Sequence, residues 1–409
     1  MSQKWLWVGQ RLSDGLLYTD ALGELDTFFS CDKINTALPP SLRSYSLPPP
    51  SVPVKWTSQD IISVIEQYAN EIKSYVSKGY SIFPYLLSAE AMKLLNCPYS
   101  IFNRKLFDNQ LTRSLQMYLF SDVGVRTPRW FVPQNTTWAD LVSAVGTPVI
   151  LQFDNTSSGL GTFCVKTETA YNDFCARYGN ADLATEFVDG LSCSAHLFIS
   201  KCSVVVSSPS VQIIEQGTLN GNIDVTTFSF KGNDFSCYDA MVHDKASINQ
   251  ALHQIGEVYR AAGIYGLLGV DFIARDNMFF YTETNFRLQN STSLLSFLQP
   301  KGNGNIVNCL FEEPDALDEV RSGFQYFTRA TTPDLMSGYY SFTGERLGEF
   351  FSSANKNRND VVLIFNDGYS PKEQSLRLIG FQGCCAANGQ ANVEIKSLIE
   401  RLVGLYGRL

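Results

Sequence analysis

The sequence predicts an α/β fold divided into several units, and three observations carry that reading. At 409 residues and 45.6 kDa, the chain exceeds what one small core organises, since domains run to roughly 100–200 residues. Helical periodicity alternates with short apolar runs along its first half, a pattern of layered helices and strands. Near its centre, Gly266 to Leu295 contains two apolar strand-like runs joined at Ala274-Arg275-Asp276-Asn277, which predicts a hairpin.

Composition narrows the function classes. Hydrophobic residues make up 44% and charged residues 18% of the chain, which is globular and not disordered, and no apolar run approaches the roughly 18 residues of a membrane span. The first residues, MSQKWLWVGQRLSDG, contain no secretory apolar core. Ten cysteines are scattered without a CxxC pair, and His196, His243 and His253 lack zinc-site spacing. A reducing, cytoplasmic setting with unpaired thiols is the expectation. A net charge of −8 and a pI near 5.1 argue against a nucleic-acid backbone as the main partner, and no membrane partner is expected.

In order, Lys4 to Val8 opens a sheet, Pro39 to Pro53 is a loop, and Ser58 to Ser77 carries Ile61, Ile62, Ile65, Tyr68, Ile72 and Tyr75 at helical spacing. Ser81 to Leu87 reads as a strand and Ala89 to Leu95 as a helix. Arg104 to Phe120 is helical by pattern, Trp138 to Val145 is a short helix, and Pro148 to Phe153 is a strand running into Asp154 to Thr162. That loop, with Ser158, Gly159 and Gly161, returns through Phe163-Cys164-Val165 as a hairpin whose backbone N–H groups can close over phosphate oxygens. It is neither a P-loop nor a Rossmann fingerprint. Asp182 to Val188, Leu191 to Ile199 and Val204 to Ile214 are strands in which Cys193 and Cys202 act as small apolar residues. Ile248 to Ala262 is an amphipathic helix stopped at Gly263. Beyond Pro300, strands are predicted at Gly323 to Thr328, Tyr339 to Phe342, Val361 to Phe365 and Ser375 to Phe381, with a closing helix over Val393 to Tyr406.

The chemistry concentrates in the central hairpin. Strict alternation puts Tyr281, Glu283, Asn285 and Arg287 on one strand face, with Asp271 on the preceding strand. Carboxylates are costly among Val270, Phe272, Ile273, Phe279 and Phe280 unless a partner or metal accompanies them. Asp271, Glu283 and Asn285 offer only hard oxygen ligands, which suit Mg²⁺ bridging substrate phosphates. Arg287 would grip an anion through a bidentate fork, or orient Glu283 by an ion pair.

The pattern GxDF, a short hairpin, then ExNxR followed by Ser/Thr resembles the metal-binding end of the ATP-grasp superfamily, which includes D-alanine:D-alanine ligase and biotin carboxylase. The resemblance implies Mg·ATP held between two α+β subdomains, with Asp271, Glu283 and Asn285 as the metal residues and Glu283 and Arg287 as the catalytic pair. It covers roughly residues 100 to 298 and implies a pre-grasp α/β domain over 1–100, the grasp over 101–306 and an α+β appendage over 307–409. It further implies that Arg113, with Lys105 in reserve, and Lys231 touch the phosphates; that the loop of Ser158, Gly159 and Gly161 covers them; and that Glu186, Phe187 and Val188 read the adenine edge. A solvated helix face is the other reading of Arg113. Two positions depart from the family: Gln152 stands where a phosphate-binding Lys is usual, and Ser192 where a ribose-binding Glu is usual. Both retain neutral hydrogen bonding toward the nucleotide. The implied activity is amide or peptide bond formation between a small carboxylate, an amino acid or short peptide, and an amine, through an acylphosphate with release of ADP. Biotin-carboxylase-like carboxylate activation and an inactive nucleotide sensor or scaffold are the alternatives, and a homodimer is compatible with the resemblance.

Overall fold

A computed structural model describes residues 4–9, 25–30, 43–46, 58–84, 94–95, 112–154, 156, 159, 161–199, 202–207, 209–234, 244–264, 266–286, 289, 335–342, 361–366 and 377–384. The N-terminal unit is a parallel sheet. Strand β1 (Lys4–Gly9) is buried after its first residue, as a continuous apolar run covered on both faces should be. It lies between β2 (Leu25–Ser30), which pairs in turn with β3 (Arg43–Ser46), and a fourth strand at Tyr80–Pro84. The four residues of β3 fall inside the expected Pro39 to Pro53 loop. They form an edge strand, the one place in a sheet that tolerates neighbouring prolines.

Helices α1 (Ser58–Gln67) and α2 (Ala69–Ser77) precede that fourth strand, β4, and pack Ile62, Val64, Ile65, Ile72 and Tyr75 against Leu6, Val8, Phe29 and Ile82. One helix was expected over Ser58 to Ser77. The axis instead bends at Tyr68 (φ −111°, ψ 23°), whose ring packs on Phe29 and Tyr45. Of the helix expected over Ala89 to Leu95, only Leu94 and Leu95 are described, and these are helical.

The second unit starts with α3 (Arg113–Val123), where the Thr112 side chain accepts the Leu115 N–H and Gly124 closes the helix at φ 78°. The helix expected from Arg104 thus has its described start at the Thr112 cap; residues 104–111 lie outside the described residues. Strand β5 (Trp130–Phe131), α4 (Trp138–Val145), β6 (Val149–Gln152), β7 (Thr162–Val165), α5 (Glu168–Tyr178) and β8 (Leu183–Glu186) follow. Strand β6 pairs antiparallel with both β7 and β8. A capping box between Thr137 and Asp140 fixes α4. Helix α5 was not anticipated: its ETAYNDFCARY sequence is poor in strong helix formers, and the Thr167 cap is its clearest local signal. It buries Tyr171 and Phe174 against Leu151, Phe153 and Phe163.

Strands β9 (Leu191–Ile199), β10 (Val204–Val206), β11 (Ser210–Leu219) and β12 (Asn222–Asp234), helix α6 (Lys245–Ala261), and strands β13 (Gly266–Arg275) and β14 (Met278–Asn285) complete one long sheet in the order β14-β13-β9-β11-β12-β7-β6-β8-β5. The strand expected over Val204 to Ile214 is interrupted, because Ser207 exchanges hydrogen bonds with the His196 backbone and Pro209 has no N–H to donate. Long β12 is the joint of the sheet. It pairs with β11 along its length, and Val225 to Thr227 join it to β7. Its last residues, Gly232 to Asp234, pair with β15 (Leu335–Phe342), which continues through β17 (Arg377–Cys384) to β16 (Val361–Asn366). Three expected C-terminal strands fall on these last elements; the expected strand at Gly323 to Thr328 and the helix over Val393 to Tyr406 lie outside the described residues. The described residues mix helices with one parallel and one largely antiparallel sheet, an α+β arrangement. Among the described residues, no helix is long and apolar enough to cross a membrane.

Phe174 touches the rings of Phe153, Phe163 and Tyr178 and is 2% exposed, so Phe174→Ala opens a cavity beneath both strands that carry the glycine loop. Denaturant titration should show a loss of about 3–5 kcal/mol.

Candidate functional site

The β13–β14 hairpin turns on Asp276 and Asn277, both at positive φ (49° and 60°), the two-residue turn that Asp and Asn tolerate and that matches strand twist. Ala274 and Arg275, expected in the turn, remain in β13. The register sets Asp271 directly opposite Glu283, then shifts so that Phe272 faces Tyr281. Thr282 is the extra residue of this bulge, and its hydroxyl donates to the Asp271 carbonyl at 3.1 Å. The bulge corrects the expectation of simple alternation. Tyr281 is buried with Phe120 and Phe272, whereas Thr282, Glu283 and Asn285 line a cavity. One inserted residue reverses the side on which the strand presents its side chains.

That cavity has a volume of about 430 Å³, within the size range of small-molecule sites. On the hairpin wall, Asn285 Nδ2 donates to Asp271 Oδ2 at 3.0 Å and Gln212 Nε2 to Asp271 Oδ1 at 3.2 Å. Ser192 Oγ donates to Gln212 Oε1 at 2.6 Å. Glu283 Oε2 pairs with Arg113 Nη1 at 2.9 Å, their side chains being 23% and 8% exposed. Arg113 is therefore a buried ion-pair partner and not a solvated helix residue. Its Nε donates to the Phe153 carbonyl at 3.2 Å and its backbone N–H to Asp154 Oδ1 at 2.9 Å, so one residue ties α3 to the end of β6 and to β14. Gln116, one turn on, accepts the Thr284 N–H at 2.6 Å and strengthens the same junction.

The opposite wall contains Gln152, Thr156, Gly159 and the hinge from Thr185 to Leu191. Gly159 has φ 81°, and a Cβ there would sit 2.5 Å from the Phe228 carbonyl oxygen, so the loop passes where only glycine fits. Gly161 packs against Thr156 and does not line the cavity. At the hinge, Glu186 accepts from the Arg129 backbone N–H at 3.1 Å and from Arg129 Nε at 2.7 Å, which holds its carboxylate while Phe187 and Val188 continue along the cavity. Ser192 lines it as well. Lys231 belongs to β12, but its side chain, like Lys105, Ser158 and Arg287 as a whole, lies outside the described residues.

Three contributors escaped the sequence reading. Gln212 occupies one of the alternate cavity-lining positions Gln212, Ile214 and Gln216 of β11, and two glutamines four residues apart, hence on one face of an inner strand, were the available signal. Gln116 carried no signal. Asp154 was taken only as the start of the loop; burial pushes its carboxyl above the ordinary value, opposed by the Arg113 backbone N–H, with Asp182 and Glu283 adding to the upward push. Burial also pushes the Cys193 thiol up to about 12, which suits a core residue, whereas Cys202, expected to act likewise, is exposed.

Among the described residues, no group of three His, Cys, Asp or Glu side chains gathers around one point. A cation here depends on the Asp271 and Glu283 carboxylates and on amide oxygen. The donor set fits a hard divalent ion: Glu283 uses Oε2 toward Arg113, Asn285 uses its N–H toward Asp271, and Glu283 Oε1 and Asn285 Oδ1 remain as oxygen donors beside an acidic pair.

The ATP-grasp domain profile matches residues 115–291. No curated protein matches the chain by sequence. Solved structures with a similar fold include an L-amino acid ligase from Bacillus licheniformis (16% identity, TM-score 0.59, 98% of each chain covered) and N5-carboxyaminoimidazole ribonucleotide synthetase from Thermus thermophilus (14% identity, TM-score 0.57, 98% of each chain). A third is the biotin carboxylase domain dimer of 2-oxoglutarate carboxylase from Hydrogenobacter thermophilus, in complex with MgADP, ADP and bicarbonate (11% identity, TM-score 0.59, 93% of this chain and 86% of the other).

The raised Asp154 pKa gives a stability prediction with a definite sign. The folded state holds this proton more tightly than the unfolded chain, so the group's contribution is present below the ordinary carboxylate value of about 4 and is lost as pH rises through the elevated one. Asp154→Asn keeps an acceptor for the Arg113 N–H, and unfolding midpoints measured from about pH 4 upward should show a shallower decline than the wild type.

Proposed function

Because residues 115–291 match the ATP-grasp domain profile, we propose that this chain is an ATP-dependent carboxylate–amine ligase acting on small molecules, with an amino acid or short peptide as the carboxylate. The observation that carries the proposal is the cross-strand pair Asp271 and Glu283, set in a cavity whose far wall is the glycine loop and the Glu186 to Leu191 hinge. In this reading the base lies along Glu186, Phe187 and Val188, and the phosphates lie between Gly159 and the hairpin. The grasp spans 101–306, preceded by the parallel-sheet unit of 1–100 and followed by the appendage of 307–409. A cytoplasmic setting fits the scattered cysteines.

Asp271, Glu283 and Asn285 would hold Mg²⁺, which when bound neutralises charge on the β- and γ-phosphates. Arg113 sits at the same wall and supplies a permanent positive charge for a phosphoryl oxygen, the more so because Gln152 offers only a neutral amide. Backbone N–H groups around Gly159 approach the phosphates without a side chain in the way. Arg287 and Lys231 are assigned to the transferring group. The substrate carboxylate attacks the γ-phosphorus and ADP leaves; the amine then attacks the acylphosphate carbon, forming the C–N bond and releasing phosphate. Enclosure between the two walls limits hydrolysis of that intermediate. The name of the L-amino acid ligase with a similar fold supports an amino acid as the carboxylate, whereas the carboxylase neighbour keeps bicarbonate among the carboxylates to be tried.

Asp271→Asn and Glu283→Gln should each lower turnover by about two orders of magnitude or more with the fold retained by circular dichroism, and Glu283→Gln, which leaves the buried Arg113 without its ion-pair partner, should also lower the unfolding midpoint. Near-wild-type kinetics at limiting Mg²⁺ would refute the metal assignment.

With a panel of amino acids carrying ¹⁸O in the carboxylate, the nucleotide product should be ADP and one label should appear in phosphate. AMP with pyrophosphate would point to adenylation instead, and nucleotide binding without turnover on any carboxylate would favour a sensor or scaffold.

A further inference from the structure

A hydrogen-bond chain runs along the cavity wall between its two ends. Asp271 accepts from the Gln212 amide at 3.2 Å, and Gln212 Oε1 accepts from Ser192 Oγ at 2.6 Å. The direction of every proton in this chain follows from Asp271. An ionised carboxylate only accepts, so the Gln212 amide must turn its NH₂ toward Asp271 and its carbonyl toward Ser192. The Ser192 hydroxyl proton is then committed to that carbonyl, and what Ser192 presents to the cavity is lone pairs.

Position along the sheet says what those lone pairs meet. Ser192 pairs with Ile273 and Ser194 with Asp271, so Ser192 lies about 7 Å along β9 from the level of Asp271, and it is only two residues beyond Gly190 of the hinge. A nucleotide whose base rests on the hinge and whose phosphates reach the carboxylates must pass its sugar by Ser192. Nearby polar groups are also committed: Asn233 Nδ2 donates to Ser210 Oγ at 2.8 Å, and Ser210 Oγ donates to the Ser194 carbonyl at 3.3 Å.

We propose that Gln212 is the positioning residue for sugar recognition, carrying the charge of Asp271 to Ser192 so that a neutral serine acts as an acceptor for a ribose hydroxyl. The usual glutamate at this place would supply the acceptor directly; here the metal-side aspartate supplies it through two polarised hydrogen bonds, which strengthen one another in a site of low dielectric. Sugar recognition and the metal carboxylate are thereby linked through a single side chain. The inference rests on the nucleotide reading of the cavity.

Titration calorimetry of the full chain with Mg²⁺ and ATP, 2′-deoxy-ATP or 3′-deoxy-ATP tests it. The wild type should bind one of the two deoxy analogues about five- to tenfold more weakly than ATP, the effect of one hydrogen bond to a polarised acceptor. Ser192→Ala should abolish that preference. Gln212→Met, which keeps the bulk of the side chain but not the relay, should narrow it to about twofold or less, although Ser192 is still present. The measured quantity is a ratio of affinities, which a general loosening of the site would leave unchanged. Equal binding of all three nucleotides by the wild type, or a wild-type preference surviving in either variant, overturns the relay. A wild type that binds none of the three overturns the nucleotide reading itself.

Discussion

A half-buried pair of negative charges organises this molecule. Asp271 and Glu283 face each other within a sheet of Val270, Phe272 and Phe280, where an uncompensated carboxylate would be costly. The structure offsets that cost from three directions: Arg113 on Glu283, and the amides of Gln212 and Asn285 on Asp271. Because Arg113 also holds the Phe153 carbonyl and Asp154, balancing the charge fixes where α3 stands relative to the glycine loop. Removing Glu283 strands the buried Arg113 guanidinium without its partner, which is why charge and architecture cannot be separated here.

The cavity follows from the way β12 bridges the sheet. Pairing with β7 through one segment and with β11 along its length, it connects the strands bearing the glycine loop with those bearing the carboxylates. The loop's departure and the hinge before β9 then leave space between two walls. One wall contributes Gly159 and the neutral amide of Gln152, and the other contributes oxygen donors and a guanidinium. That division of polarity makes the site fit for positioning a polyanion and compensating its charge, the main demands of phosphoryl transfer.

Much of the site was legible because its signals are local. Paired runs around a turn predict a hairpin, Asp and Asn tolerate the positive φ such a turn needs, and a Gly/Ser segment after an apolar strand marks a loop that approaches a ligand. The parity of the second strand was not legible. Whether Thr282 is counted or bulged out depends on the register against Asp271, a property of two strands together. Arg113 illustrates the same limit: the family resemblance nominated it, but only packing decides between a solvated side chain and one buried against Glu283.

The sequence by itself determined the hairpin, most of the helices and strands around it, and the hard-oxygen character of its polar residues, because periodicity and side-chain chemistry act over a few neighbours. Tertiary structure alone decided that Gln212, 59 residues from Asp271, and Gln116, 168 residues from Thr284, belong to the same polar network. Hydrogen bonds form between groups that folding brings within about 3 Å of each other, and no local pattern records which distant amide will be aimed at a given carboxylate or strand N–H.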